Sequence, residues 1–352
     1  MTRVAMLLDQ QWNTVPGGTA RSVVSLCDAL AAHGTELVGV HGRYSSEPGV
    51  ALPASITTQT LPFPGRALTQ LWSRTGQPRP DRWLDADVLH AAAYVLPQTG
   101  LATVVTIHDL AFVRHPEWFS SRGVAYLTRF LDRVRNGDML VIVPSAHTAQ
   151  DCVRAGIDEA RIQVIPWGVH IPEIGNVHTA SVRSTYGLPD RFVLYVGTME
   201  PRKNLDGLEA ALDLLDDVPL VLVGPDGWGD ANATGLRLPA LPRAELDAVM
   251  AAASLLVYPS HFEGFGLPVL EAMAVGTPVV TTAGTSQAEI LGDGGLSVDT
   301  RVPQALADGI DALLGDSELA ARCGRAGLER ARTYSWERTA LETQRVYEAA
   351  QR

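Results

Sequence analysis

Lysine is almost absent from this chain: of its 28 basic residues, 27 are arginine and only Lys203 is lysine. Arginine cannot everywhere replace a compact ammonium, so the position of that one lysine carries weight. Cysteine is scarce as well, with Cys27, Cys152 and Cys323 forming no Cys-x-x-Cys pair. An odd count without such pairs excludes a disulfide framework and a zinc cluster and points to a reducing compartment. No long apolar run opens the chain, because the five apolar residues at 4–8 are followed at once by Asp9. Such a run is too short for a signal sequence or a membrane span and reads as a first strand. Positive charge is not in excess: the net charge is -11, with 14 basic residues against 15 acids up to residue 175 and 14 against 24 beyond it. That balance argues against a nucleic-acid partner. Also missing are Gly-x-Gly-x-x-Gly after a strand, Gly-x-x-x-x-Gly-Lys-Ser/Thr and Gly-x-Ser-x-Gly. Dinucleotide dehydrogenase, P-loop nucleotidase and serine hydrolase thereby lose most of their support.

What is present is a regular alternation of short apolar runs with amphipathic segments, the pattern of parallel sheets with helical crossovers. The chain has 352 residues, which at roughly 150 per domain suffices for two cores. Strands are expected at 4–8, 37–40, 88–90, 103–107, 139–143 and 162–165, then at 192–196, 220–223, 255–258, 279–281 and 296–298. Helices fall between them, as at 204–215, where Leu205, Leu208, Leu212 and Leu215 recur at spacings of three and four. Residues 166–190 are rich in Gly, Pro, Ser and Thr without an apolar stripe and read as the linker. The expected architecture is α/β: two doubly wound, Rossmann-like domains, 1–172 and 173–334, facing a central cleft at the carboxyl ends of their strands. A terminal helix over 335–352, opened by Ser335 and carrying Trp336, Ala340 and Tyr347 on one side, is expected to pack back on the first domain.

The chemistry concentrates in the second half. Glu263-Gly-Phe-Gly-Leu-Pro-Val-Leu-Glu271 runs from a strand end into a helix. Pro268 suits a first helical turn, Gly264 and Gly266 admit close backbone approach, and the amides of Phe265, Gly266 and Leu267 would face a ligand. Glu263 on the loop and Glu271 inside the helix can then hold opposite ends of one ligand; alternatively they are a solvated loop residue and a partner of the helix dipole. After strand 192–196 comes Gly197-Thr-Met-Glu-Pro-Arg-Lys-Asn204. Arg202 and Lys203 at the start of a helix suit a diphosphate whose charge grows as it leaves, or form a solvated basic turn.

These two motifs together resemble the nucleotide-sugar site of retaining GT-B glycosyltransferases of family 4. The resemblance extends to Pro16-Gly17-Gly18, similar to that family's glycine loop, and to Thr106-Ile-His108-Asp109, similar to its histidine motif. Val143-Pro-Ser145 and Ile165-Pro-Trp-Gly168 fall where such enzymes have their last amino-terminal strands. It implies a donor-binding second domain with Glu271 on the ribose, Glu263 and the following amides on sugar hydroxyls, and Lys203, Arg202, Gly17 and Gly18 on the phosphates. His108, with Asp109 beside it, would stand by the donor sugar. Where many members have Gly-Arg, this chain has Gly197-Thr198, and Arg202 stands in for the missing charge. The subgroup it resembles comprises bacterial mannosyl, rhamnosyl and glucosyl transferases of polysaccharide biosynthesis. Hexose transfer, mannose favoured, from a nucleoside-diphosphate sugar to a glycan, lipid-linked or small-molecule hydroxyl is the activity implied, without cofactor or metal. Asp85-Ala-Asp87 opens a strand and is read as structural rather than metal-binding. Rival readings are a nucleotide-sugar epimerase, a sugar phosphorylase and a non-catalytic sugar-binding protein.

One stripe concerns location, expected to be cytoplasmic. In a helix over 120–136, Arg122, Arg129 and Arg133 would share a face opposite Val124, Leu127, Leu131 and Val134. An ordinary surface helix is the first reading; a basic strip touching anionic lipid on the inner membrane face is the second. Trp72 among Arg66, Arg74, Arg79 and Arg82 hints at the second.

Overall fold

A computed structural model describes residues 2–13, 17–227 and 233–352. The chain divides into two compact units, Met1–Gly168 with Ser335–Arg352, and Val169–Tyr334. The crossing thus falls at Gly168 rather than at residue 172.

The first unit contains β1 (Arg3–Leu7), α1 (Gly17–Ala32), β2 (Glu36–Arg43), β3 (Thr57–Pro64), α2 (Gly65–Thr75), β4 (Val88–Ala91) and β5 (Ala102–Thr106). It continues through α3 (Ala111–Arg114), α4 (Ser121–Asn136), β6 (Leu140–Val143), α5 (Ala146–Arg154) and β7 (Ile162–Val164). Its parallel sheet runs β3-β2-β1-β4-β5-β6-β7. The central strands are buried on both faces, which is why they read as unbroken apolar runs. The second unit contains α6 (Asn176–Tyr186), β8 (Val193–Val196), α7 (Leu205–Leu212), β9 (Leu220–Val223), β10 (Leu236–Leu238), α8 (Arg243–Ala252) and β11 (Leu255–Tyr258). It closes with α9 (Leu267–Ala274), β12 (Val279–Thr282), α10 (Ser286–Leu291), β13 (Gly295–Val298), α11 (Pro303–Gly315) and α12 (Ser317–Ala331), on a parallel sheet β10-β9-β8-β11-β12-β13. In each sheet the strand order reverses once, between β1 and β4 and between β8 and β11. The carboxyl ends of those strand pairs are the crevices where a doubly wound sheet binds ligands.

Helix α13 (Trp336–Ala350) returns to the first unit. Its Tyr347 hydroxyl lies 2.7 Å from His90 Nδ1, and His90 Nε2 lies 2.8 Å from Thr106 Oγ1. Burial, with the nearby His108, pushes the His90 pKa down to about 3, so a neutral ring bridges the two hydroxyls.

Three expectations need correction. Residues 166–190 are not only a linker: they hold α6, whose one fully buried residue is Val182 and whose Arg183 ties it to the carbonyls of Pro189 and Ala252. Strands β3 and β10 escape a search for apolar runs because they are edge strands, β3 burying only Leu61. Helix α4 forms, capped by Ser120, which accepts from the Gly123 amide. Yet Arg129 donates to Ser73 Oγ at 3.2 Å, and Arg133 donates to the carbonyls of Trp72 and Leu96. The guanidinium groups tie α4 to α2 and to the segment after β4, so the three arginines form no exposed basic strip. Trp72 is fully buried and donates to the Pro78 carbonyl, and so is no surface anchor.

Candidate active site

In the second unit the crevice between β8 and β11 is built by two turns. Pro201–Lys203 form a short 3-10 turn that ends at Asn204, whose left-handed φ of 56° redirects the chain into α7. Asparagine tolerates that conformation better than most residues, and its side chain donates to the Thr300 carbonyl at 2.9 Å. This turn buries Lys203. Its Nζ donates to Glu263 Oε1 at 2.6 Å and to the Tyr258 hydroxyl at 2.7 Å, and that hydroxyl donates to the same carboxylate oxygen at 3.1 Å. Arg202 bridges Glu200 Oε1 and Glu263 Oε2, both at 2.7 Å, and also donates to the Phe262 carbonyl.

Burial alone would raise the Glu263 carboxyl, but the adjacent Arg202 and Lys203 charges and hydrogen bonds outweigh it and hold the pKa at about 2. For Lys203 the balance goes the other way: burial, with Arg202, lowers its pKa despite Glu263 and Glu200. Arg202, Lys203, Glu263 and Glu200 therefore form a cluster of two cations and two carboxylates. The two cations expected to face a diphosphate, Arg202 and Lys203, both pair with Glu263.

Glu263 leads into α9. Gly266 caps this helix at a φ of 115°, a conformation only glycine adopts without strain, and Pro268 occupies the first turn. The Val269 and Leu270 amides donate to the Gly266 carbonyl at 3.0 and 3.2 Å, and Pro268 carries no N–H, so at the start of α9 it is the Leu267 amide that can turn to an acceptor outside the helix. Phe265 is buried edge-on against Tyr334, and Leu267 is half-buried. Thr198 is half-buried in the turn after β8, its carbonyl accepting from the Tyr195 hydroxyl at 2.9 Å. Glu271 points from α9 to Arg243 of α8, which also pairs with Asp247. Arg243 was not legible as a site residue, since it stands 28 positions from its partner. Tyr258 was hidden among the apolar residues of β11.

In the first unit His108 follows β5. Its Nε2 donates to the Ala92 carbonyl at 2.8 Å, just beyond β4, and the ring lies between Trp167 and Tyr94. Burial lowers its pKa against that hydrogen bond and Asp109, leaving a neutral imidazole. Asp109 is partly committed elsewhere: its Oδ1 accepts from the Ala111 amide at the start of α3. Gly17 and Gly18 are the first residues of α1 rather than a free loop. Gly17 has a φ of 61° with nothing near a would-be Cβ, so its requirement is conformational. Pro16 lies outside the described residues. Asp87 accepts from the Arg3 amide at 2.8 Å and Asp85 pairs with the Arg3 guanidinium at 2.6 Å, which registers β1 beside the start of β4.

The two halves match two family models, Glycosyltransferase Family 4 over residues 16–172 and Glycosyl transferases group 1 over residues 182–330. The chain belongs to this family of GT-B glycosyltransferases. It is 32% identical to the O-antigen chain mannosyltransferase B of Escherichia coli, over 77% of each chain. It is 30% identical to the D-inositol 3-phosphate glycosyltransferase of Xylanimonas cellulosilytica, over 99% of this chain and 97% of that one. Among solved structures, Anabaena HepE in complex with UDP and glucose superposes with a TM-score of 0.73 at 19% identity, over 99% of both chains. The chain is thus a glycosyltransferase, and no helix among its described residues is long and apolar enough to cross a membrane.

Proposed function

We propose that the chain moves a hexose, mannose favoured, from a nucleoside-diphosphate sugar to a hydroxyl of a glycan or lipid-linked glycan, with retention at the anomeric carbon and without a metal. The observation that carries this reading is the buried Lys203–Glu263 pair at the β8/β11 crevice, directly before the amino terminus of α9. Glu271, oriented by Arg243, takes the ribose hydroxyls through charge-assisted hydrogen bonds. Glu263 and the Leu267 amide hold the sugar, and Lys203 and Arg202 face the diphosphate. As the bond from the anomeric carbon to the phosphate oxygen breaks, negative charge grows on that oxygen, and Lys203 exchanges part of its contact with Glu263 for it. The acceptor oxygen bonds to the anomeric carbon on the same face and gives its proton to the departing phosphate oxygen, so no separate base is required. The mannosyltransferase relative supports the sugar, HepE supports a nucleotide donor, and three free, buried cysteines accord with a cytoplasmic setting. Incubation with UDP- and GDP-hexoses and a mannoside acceptor tests it, with the anomeric configuration of the product read by NMR. An inverted product, or no transfer from any of these donors, overturns the reading.

A further inference from the structure

Beyond β11 the chain runs through residues 259–266 without helix or strand before α9 begins, and most of that stretch is buried. Irregular backbone withdrawn from water must find a partner for each carbonyl it turns inward. Here the partners are side chains of the elements that follow. Thr282 Oγ1, at the end of β12, donates to the Ser260 carbonyl at 2.8 Å, and Gln287 Nε2 donates to the same carbonyl at 3.0 Å. Ser286 Oγ donates to the Glu263 carbonyl at 2.6 Å. Gln287 Oε1 lies against the Thr281 hydroxyl, which is also 2.8 Å from the Tyr258 carbonyl, so the carboxamide turns its amino group to the loop. A Cβ placed on Gly266 would come within 3.3 Å of Gln287 Cγ, so the same side chain also lies against the cap of α9. Two consecutive residues at the start of α10 thus touch the loop at three points, Ser260, Glu263 and Gly266.

Ser286 and Gln287 are both fully buried. A buried hydroxyl or carboxamide costs stability unless its hydrogen bonds are made, and an apolar side chain would fill the same space without that demand. Both polar groups are spent on the one loop whose side chain has to be aimed accurately. From that loop the Glu263 carboxylate reaches Lys203 Nζ at 2.6 Å and the Arg202 guanidinium at 2.7 Å. Charge-assisted contacts of this kind weaken with distance, so a displacement of the Glu263 backbone is felt at Lys203. A misplacement of about 1 Å at a reacting group can cost on the order of 100-fold in rate.

We propose that Ser286 and Gln287 are positioning residues that aim the Glu263 carboxylate and, through it, set the surroundings of the Lys203 ammonium. Their effect on transfer rests on the hexosyltransferase reading; the aiming itself does not. The scarcity of lysine supplies the probe, because a chain grown with ¹³C-labelled lysine carries one labelled side chain and its Cε signal reports on Lys203 alone. The position and pH titration of that signal are compared by NMR in the wild type, Glu263→Gln, Ser286→Ala and Gln287→Met, with kcat and melting temperature measured in parallel. Thr277→Val is the control: it removes another buried hydrogen bond of this unit, from Thr277 Oγ1 to the Met250 carbonyl at 2.7 Å, before the start of β12 rather than beyond its end. The expected result is a Lys203 signal displaced in Ser286→Ala and Gln287→Met toward its position in Glu263→Gln, with kcat lowered about tenfold or more. Thr277→Val should leave both signal and kcat as in the wild type, whatever it does to the melting temperature. An unmoved signal in Glu263→Gln or in either folded α10 variant, an equal displacement in Thr277→Val, or loss of the folded state in both α10 variants overturns the proposal. Each of these outcomes marks the two side chains as structural only. A displaced signal with unchanged kcat overturns the link to transfer. A displaced signal in a protein that accepts no nucleotide sugar overturns the hexosyltransferase reading and leaves the positioning of Glu263 standing.

Discussion

Lys203 Nζ sits 2.6 Å from Glu263 Oε1, so the single lysine of the chain is held by the carboxylate that precedes α9. On the function proposed above, the pair couples phosphate and sugar recognition, because a phosphate that draws on Lys203 loosens Glu263 for a sugar hydroxyl. Lys203→Ala should therefore lower kcat about 100- to 1,000-fold while the donor KM changes only a fewfold, since the leaving-group charge develops in the transition state. Steady-state kinetics check this, and equal kcat in the two proteins would remove Lys203 from the phosphate site.

The same cluster sets an acid limb of stability. The Glu263 pKa is depressed in the folded chain to about 2, so its stabilisation is present above the unfolded value near 4.5 and is lost as pH falls toward 2. A shift of that size corresponds to a loss on the order of 3 kcal/mol. Urea titrations of wild type and Glu263→Gln between pH 5 and 2.5 should show a steeper decline in the wild type, and parallel curves would contradict the assignment.

Glu271 and Arg243 form a unit. Glu271→Ala should raise the donor KM roughly 10- to 100-fold, with a smaller effect on kcat, as expected for contacts equal in ground and transition states. Arg243→Ala should reproduce part of that rise. An unchanged KM in Arg243→Ala would show that Glu271 needs no help to face the ribose.

EDTA should leave turnover intact, since Asp85 and Asp87 serve Arg3. Loss of activity on chelation, restored by Mn²⁺ or Mg²⁺, would reverse this expectation.

On α4 the arginines divide by role. Arg133→Ala removes donors from the carbonyls of Trp72 and Leu96 and should destabilise the fold by about 1–3 kcal/mol. Arg122, which is exposed, should tolerate the same change. Denaturant melts of the two variants separate them, and equal midpoints would return Arg133 to the surface.

How much of this was legible followed burial. Strands β9 and β11 stand at the expected bounds because their residues are buried throughout, so every position had to be apolar or aromatic. Edge strand β3 and helix α6 were missed because each buries a single residue, and one buried side chain makes no period. The sequence pointed to Lys203, Arg202 and Glu263 through residue type and loop position, but not to their mutual pairing, which depends on two turns brought together by the β8–β11 contact. Arg129 and Arg133 misled for a related reason: helical spacing shows which residues share a face, and only the neighbouring α2 shows that this face is covered.

The return of α13 to the first unit bears on the order in which the protein is made. Val169 donates to the Tyr334 carbonyl at 2.9 Å, so the second unit starts and finishes at one point and is a single continuous stretch of chain. The first unit is not, because the Tyr347 side chain that meets His90 is synthesised only after all of β8 to α12. On a ribosome the later-encoded unit thus completes its own core before the earlier-encoded one can. Until the last turns of α13 emerge, the nascent first unit carries the uncovered polar side chain of His90 and the face of α1 that α13 packs against, a surface suited to chaperone capture.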